Sequence, residues 1–236
     1  VFSCPQGITN VKPAVENFAR VGKCGRIHSM QPVVVVQHPL AQCHLAAIRA
    51  VGTPSHEFRR HLNHLAQMLF LEATRELPVR EISVQTPLTE TQGAQLARPL
   101  VCVPILRAGL GLLDGILPLV PEAVVAHVGI KRNEETALPH AYYANLPTNL
   151  SGADVFLLDP MLATGGSACE AARQLKEAGA LRITMLCVVS CPEGLAAMKQ
   201  AHPEVAIFTA AIDAGLNDQC YIVPGLGDAG DRYFGT

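Results

Sequence analysis

Continuous apolar runs of strand length recur along the second part of the chain. They lie at Leu100–Leu106, Ala123–Ile130, Val155–Leu158, Ile183–Ser190 and Val205–Ile212. None alternates with polar residues, which is the pattern of strands buried on both faces. Between them the pattern is helical. In residues 167–178, Ala168, Ala171, Ala172 and Leu175 form one apolar stripe, and Gly179 supplies a stop. Pro192 suits the first turn of a further helix, and Pro203 lies just beyond its end. Alternating strands and helices predict a mostly parallel α/β sheet flanked by helices, with right-handed crossovers.

The first hundred residues are patterned differently. His44–Val51 reads as a short helix. Residues 57–76 read as a longer one, with Phe58, Leu62, Leu65 and Leu69 on one face. Residues 80–100 read as an extended hairpin with its turn near Glu90–Gly93. It is polar enough to project as an arm and clasp another subunit. Residues 1–30 mix Pro, Gly, Lys and Arg without an apolar h-region. They are expected to be a loosely ordered extension before a single domain over residues 31–236.

Composition narrows the class. Of the 236 residues, 49% are hydrophobic and 16% charged, against about 25% charged in typical soluble domains. That excludes a disordered chain or a charged helical rod. No apolar run approaches the ~18 residues of a membrane span, so no membrane is expected as a partner. The net charge of −2 argues against nucleic acid. Thirteen of the 18 basic residues are Arg, which suits bidentate recognition of phosphate or carboxylate. The eight cysteines include no Cys-x-x-Cys pair, and several sit inside apolar runs. They read as small buried hydrophobes in a reducing, cytoplasmic setting. His56 and His61 are five apart rather than the four that zinc needs on one helix face.

Candidate chemistry lies after the strands, where open parallel sheets bind ligands. Val155–Leu158 leads into Asp159-Pro160-Met161-Leu162-Ala163-Thr164-Gly165-Gly166-Ser167 and then a helix. Two glycines, two hydroxyls and a helix N-terminus make a phosphate cradle, and Asp159 can accept from sugar hydroxyls. The structural alternative is an ordinary capped helix start. After Leu100–Leu106 comes Arg107-Ala108-Gly109, where a guanidinium fork can hold a diphosphate or pair with a carboxylate. The charged segment Lys131–Thr136, followed by Tyr142 and Tyr143, suits a mobile lid or a solvated cluster. Near the end, Gly225-Leu226-Gly227-Asp228-Ala229-Gly230 matches G-x-G-x-x-G, but only six residues follow it. A dinucleotide unit does not fit in that space. Exposed main-chain groups in this Gly-rich segment can instead read the edge of a planar base.

Together LLDPMLATGGS, PILRAGLG, KRNEET with Tyr142-Tyr143 and Leu146-Pro147, and YIVPGLGDAGDRYFGT resemble the uracil phosphoribosyltransferase family. His38-Pro39-Leu40 and the helix from Phe58-Arg59 to Glu72-Ala73-Thr74 extend the resemblance over residues 37–236. It implies a type I phosphoribosyltransferase fold with a dimerisation arm. It also implies pyrimidine salvage: uracil and phosphoribosyl diphosphate giving UMP and diphosphate, with Mg²⁺ and a homodimer or higher homo-oligomer. By similarity, Asp159 through Ser167 hold the ribose and its 5-phosphate, and Arg107 and Arg132 contact the diphosphate. Tyr221, Ile222, Gly227, Asp228 and Ala229 bind uracil, largely through backbone groups. Asp228 also faces the donor or its magnesium, so Arg107, Arg132 and Asp228 are the implied catalytic set. A silent family member that senses UMP or the donor is the alternative, and a purine base is a third reading.

Three departures from the family pattern stand out. Cys220 replaces the usual Gly before Tyr-Ile, and is strained if that position needs a positive φ. Thr53-Pro54-Ser55-His56 replaces a Ser-Thr-Lys helix start, so GTP enters only as a candidate effector. Lys131-Arg132-Asn133 replaces Tyr-Arg-Asp but keeps the Arg.

Overall fold

The structure, a computed structural model, describes residues 33–132 and 139–236. The expected extension over residues 1–30 and residues 133–136 of the charged segment lie outside the described residues. The chain enters through β1 (Val33–Val35), α1 (Pro39–Arg49) and α2 (Ser55–Ala73). α1 begins ahead of the expected His44. His38 caps it, its Nδ1 accepting from the Leu40 N–H at 3.2 Å, and Pro39 fills the first turn.

Next come β2 (Val79–Gln85) and β3 (Glu90–Leu96), an antiparallel pair forming a sheet of its own. This is the arm, but its turn is at Thr86–Thr89 and not near Glu90–Gly93. The Thr86 hydroxyl accepts from the N–H groups of Leu88 and Thr89 at 3.2 and 3.0 Å. That local loop competes successfully with continued pairing. Gly93 instead sits within β3 opposite Ile82.

The remaining elements are β4 (Leu100–Leu106), α3 (Leu110–Ile116), β5 (Val124–Val125), β6 (His127–Arg132) and β7 (Pro139–Asn145). They continue with β8 (Asp154–Leu158), β9 (Met161–Leu162), α4 (Gly166–Glu177), β10 (Ile183–Ser190) and α5 (Pro192–Ala201). The chain closes with β11 (Ala206–Ile212), β12 (Gly215–Leu216), β13 (Ile222–Val223) and α6 (Ala229–Phe234). β5 and β6 share one register against β4, with Val124 opposite Val101 and Val128 opposite Ile105. The expected run Ala123–Ile130 is therefore one path along the sheet with a break at Ala126.

The main sheet runs β1-β11-β10-β8-β4-β6-β7, parallel except for the β6–β7 edge. Its central strands are buried on both faces, as their unbroken apolar runs require. On one face Phe156 and Leu158 join Leu62, Leu65, Leu69, Leu112 and Tyr233. On the other, Val155 and Leu157 join Ala171, Ala172 and Leu175 of α4. The order puts β8 between β4 and β10, so the loops leaving β4 and β8 are neighbours. Burial pushes the Cys102 and Cys187 thiols up to about 12, and they act as small apolar fillers. Cys43 departs from that reading, because it is exposed on α1. Among the described residues, no helix is long and apolar enough to cross a membrane.

Candidate active site

The segment after β8 is stitched down before it reaches α4. The N–H groups of Val188 and Val189 donate to the Pro160 carbonyl at 2.9 and 3.1 Å. Leu162 turns its side chain into the core. Its neighbour Ala163 offers its carbonyl to the Cys191 thiol at 3.1 Å. Gly165 then caps α4 with φ 82°, a left-handed conformation that favours glycine. A Cβ there would stand 2.8 Å from that of Ala197. Asp159 and residues Met161 to Ala168 thus line an open cavity of about 80 Å³, with Thr164 exposed on its rim. The start of α4, from Gly166 to Ala168, forms part of this lining, and a helix N-terminus favours an anion.

Asp159 stands at the strand end, with its Oδ1 accepting from the Met161 N–H at 3.2 Å. Burial raises its pKa to about 7. The Met161 hydrogen bond opposes the rise, and the nearby Asp228 carboxylate adds to it. Two acidic groups from distant parts of the chain therefore share one site.

Arg107 follows β4 across a cis Leu106–Arg107 peptide. Its side chain is exposed, and its Nη2 donates to Asp231 of α6 at 3.1 Å. An exposed pair of this kind is worth little in water. The guanidinium also lies 5.7 Å from the Phe234 ring. Arg132 ends β6, next but one to β8 in the sheet, and is paired in register with Pro139.

The C-terminal segment supplies the third wall. β12 and β13 form a small ribbon, and a cis Val223–Pro224 bond follows it. Gly225 and Gly227 have φ 58° and 77°. Cys220 has φ 64°, so the residue replacing the family's glycine does occupy left-handed space. Tyr221 is exposed. The side chains of Ile222 and Ala229 point into the core. Asp228 caps α6, its Oδ1 accepting from the Asp231 N–H at 2.9 Å.

Sequence reasoning passed over four residues that shape these loops. Gly194 brings α5 against the cradle, since a Cβ there would lie 2.4 Å from the Ala163 carbonyl. Cys191 holds the same carbonyl. Arg49 and Asp213 brace the C-terminal segment, as described below. The Pro-Glu-Gly start of α5 was the available signal for Gly194. Nothing local signals the other three.

Among the described residues, no group of three or more His, Cys, Asp or Glu side chains is arranged to hold a metal ion. Two neighbouring carboxylates, Asp159 and Asp228, do suit a magnesium ion that keeps waters and binds mainly through a substrate's phosphates.

Known proteins resemble this chain in sequence and fold. Residues 35–236 match the family model for uracil phosphoribosyltransferase. The uracil phosphoribosyltransferase of Alkaliphilus oremlandii is 50% identical over 208 residues, covering 88% of this chain and all of that protein. That of Streptococcus sanguinis is 49% identical over the same shares. A solved protein structure from Aquifex aeolicus superposes with a TM-score of 0.82 at 41% identity, covering 86% of this chain and 98% of that one.

Proposed function

The chain belongs to the uracil phosphoribosyltransferase family, and from that premise we propose how its three strand-end loops divide the work. The reaction transfers the 5-phosphoribosyl group of phosphoribosyl diphosphate to uracil, giving UMP and diphosphate. The C1′–O bond to diphosphate breaks, a C1′–N1 bond to the base forms, and the N1 proton leaves.

The cradle from Thr164 to Ser167 takes the 5-phosphate, because its N–H groups and helix dipole favour an anion. Asp159, once ionised, accepts hydrogen bonds from the ribose hydroxyls. Arg107 releases Asp231 and meets the diphosphate, where negative charge grows as the bond breaks. Arg132 joins it from the end of β6. Main-chain groups from Tyr221–Ile222 and Gly227–Ala229 read the base. Uracil presents two acceptor oxygens around one N–H, so a backbone reader set to that order rejects cytosine, whose amino group meets another donor. Magnesium, held through the donor with Asp228 facing it, would neutralise phosphate charge. A cytoplasmic homodimer clasped through the β2–β3 arm fits the exposed apolar Val79, Val84 and Leu88 on that arm. GTP remains a candidate effector.

The observation that carries this reading is the meeting of the Asp159 strand end, the Gly165 cradle and Asp228 at the carboxyl ends of the central strands. The test is conversion of labelled uracil to UMP with saturating donor, with and without EDTA. Turnover that needs both donor and magnesium supports it. Tight UMP binding with no turnover would favour the silent sensor instead.

A further inference from the structure

We infer that Arg49 and Asp213 form a part-buried clamp that sets the geometry of the base-reading segment, making them positioning residues for uracil. The inference rests on the assignment of Gly227–Ala229 to the base. It concerns residues that lie outside that segment.

Asp213 follows β11 directly. Its N–H donates to Ser190 at the end of β10, at 2.8 Å, so its backbone is fixed to the sheet. Its side chain is buried. Arg49 is the last residue of α1 and grips both carboxylate oxygens, Nη1 on Oδ2 at 2.8 Å and Nη2 on Oδ1 at 2.6 Å. The same two side chains also take both polar main-chain groups of Gly225. The Gly225 N–H donates to Asp213 Oδ2 at 2.9 Å, and its carbonyl accepts from Arg49 Nη1 at 2.7 Å.

The position leaves no slack. Gly225 has a positive φ, and a Cβ there would fall 2.0 Å from the Ile222 carbonyl oxygen. The next carbonyl, that of Leu226, accepts from Arg232 at 2.7 Å. Arg232 in turn donates to the Ile48 carbonyl, and to that of Ala50 at 2.6 Å. The C-terminal end of α1 thus holds two consecutive residues just before Gly227. Charge-assisted bonds of this kind define direction sharply, and Arg's planar fork serves two partners where an ammonium cannot.

The clamp touches neither the phosphate cradle nor Arg107. Loosening it therefore tilts the base reader more than the donor site, which it reaches only through Asp228 and α6.

Arg49→Lys and Asp213→Asn test this. Each is expected to raise KM for uracil about tenfold or more, as small misplacements do, with KM for the donor changed less than about twofold. The uracil-to-cytosine turnover ratio should also fall. Unchanged uracil KM, or equal rises in both KM values, would overturn the clamp. Gly227→Ala is the control for the base assignment. If it leaves uracil KM unchanged, that assignment fails. If it raises uracil KM while Arg49→Lys does not, the clamp alone fails. Should neither clamp variant fold, amide exchange in the wild-type protein decides. Gly225 N–H should exchange far more slowly than Gly227 N–H, and equal rates would overturn the inference.

Discussion

Gly109 lies backbone against backbone on Leu158: a Cβ at position 109 would stand only 2.4 Å from the Leu158 carbonyl oxygen, and 2.7 Å from the Ile105 nitrogen. The residue after Leu158 is Asp159, and two residues before Gly109 is Arg107. This contact therefore fixes how closely the Arg107 loop approaches Asp159.

Gly109→Ala should be disruptive at both levels. Overpacking against fixed backbone is expected to destabilise the fold by roughly 1–3 kcal/mol. Denaturant unfolding measures that loss. Kinetics should show kcat/KM for the donor falling more than for uracil, and an unchanged unfolding midpoint would contradict the contact's importance.

Arg107→Ala removes a charge that the free protein spends on exposed contacts with Asp231 and the Phe234 ring. Stability should change by less than about 0.5 kcal/mol. Donor kcat/KM should drop by about 10²–10³, as on loss of one preorganised donor. Calorimetry should show UMP binding reduced far less, and equal loss of both would remove Arg107 from the role proposed.

Asp159 predicts a pH dependence. Its pKa is raised to about 7, chiefly by burial. The carboxylate is the form that accepts from ribose, so donor kcat/KM should rise with pH and level off above about 7. Asp228→Asn removes a smaller cause of the shift and should move the inflection downward. For stability, a raised carboxyl pKa favours the folded protein below the unfolded value near 4. That contribution is lost as pH rises through about 7. Asp159→Asn should therefore raise Tm more at pH 8 than at pH 5, while impairing activity. Equal Tm gains at both pH values would sink this account.

Cys220 pays for its left-handed backbone. Cys220→Gly should relieve steric strain of about 1–2 kcal/mol, partly offset by roughly 0.4–1 kcal/mol of added unfolded-state entropy. A net gain in thermal stability with uracil KM unchanged is expected. A loss of stability would mean that the Cys220 side chain packs better than its backbone suffers.

The sequence carried most of the fold because its signals are local. Leu100–Leu106 and Ile183–Ser190 are strands over just those residues, since each is an uninterrupted apolar run that only a doubly covered strand can bury. The glycine pair at the start of α4 was equally legible. Positive φ and a nearby helix start are written into Thr-Gly-Gly-Ser itself. The arm's turn was not legible as such, because a threonine hydroxyl and no glycine closes the loop at Thr86–Thr89.

What the chain alone determined, then, is a set of strands, helices and glycine-rich loops, because hydrophobic period and glycine geometry act over a few residues. Tertiary structure decided which loops meet. Placing β8 between β4 and β10 brings Asp159 beside the Arg107 loop, and the return of α6 brings Asp228 to both. It also decided that Arg49 finds Asp213 across 164 positions of sequence. No local pattern encodes such a pair. It forms because the order of strands and the packing of α1 carry Arg49 to the buried Asp213, whose carboxylate needs a charged partner away from water.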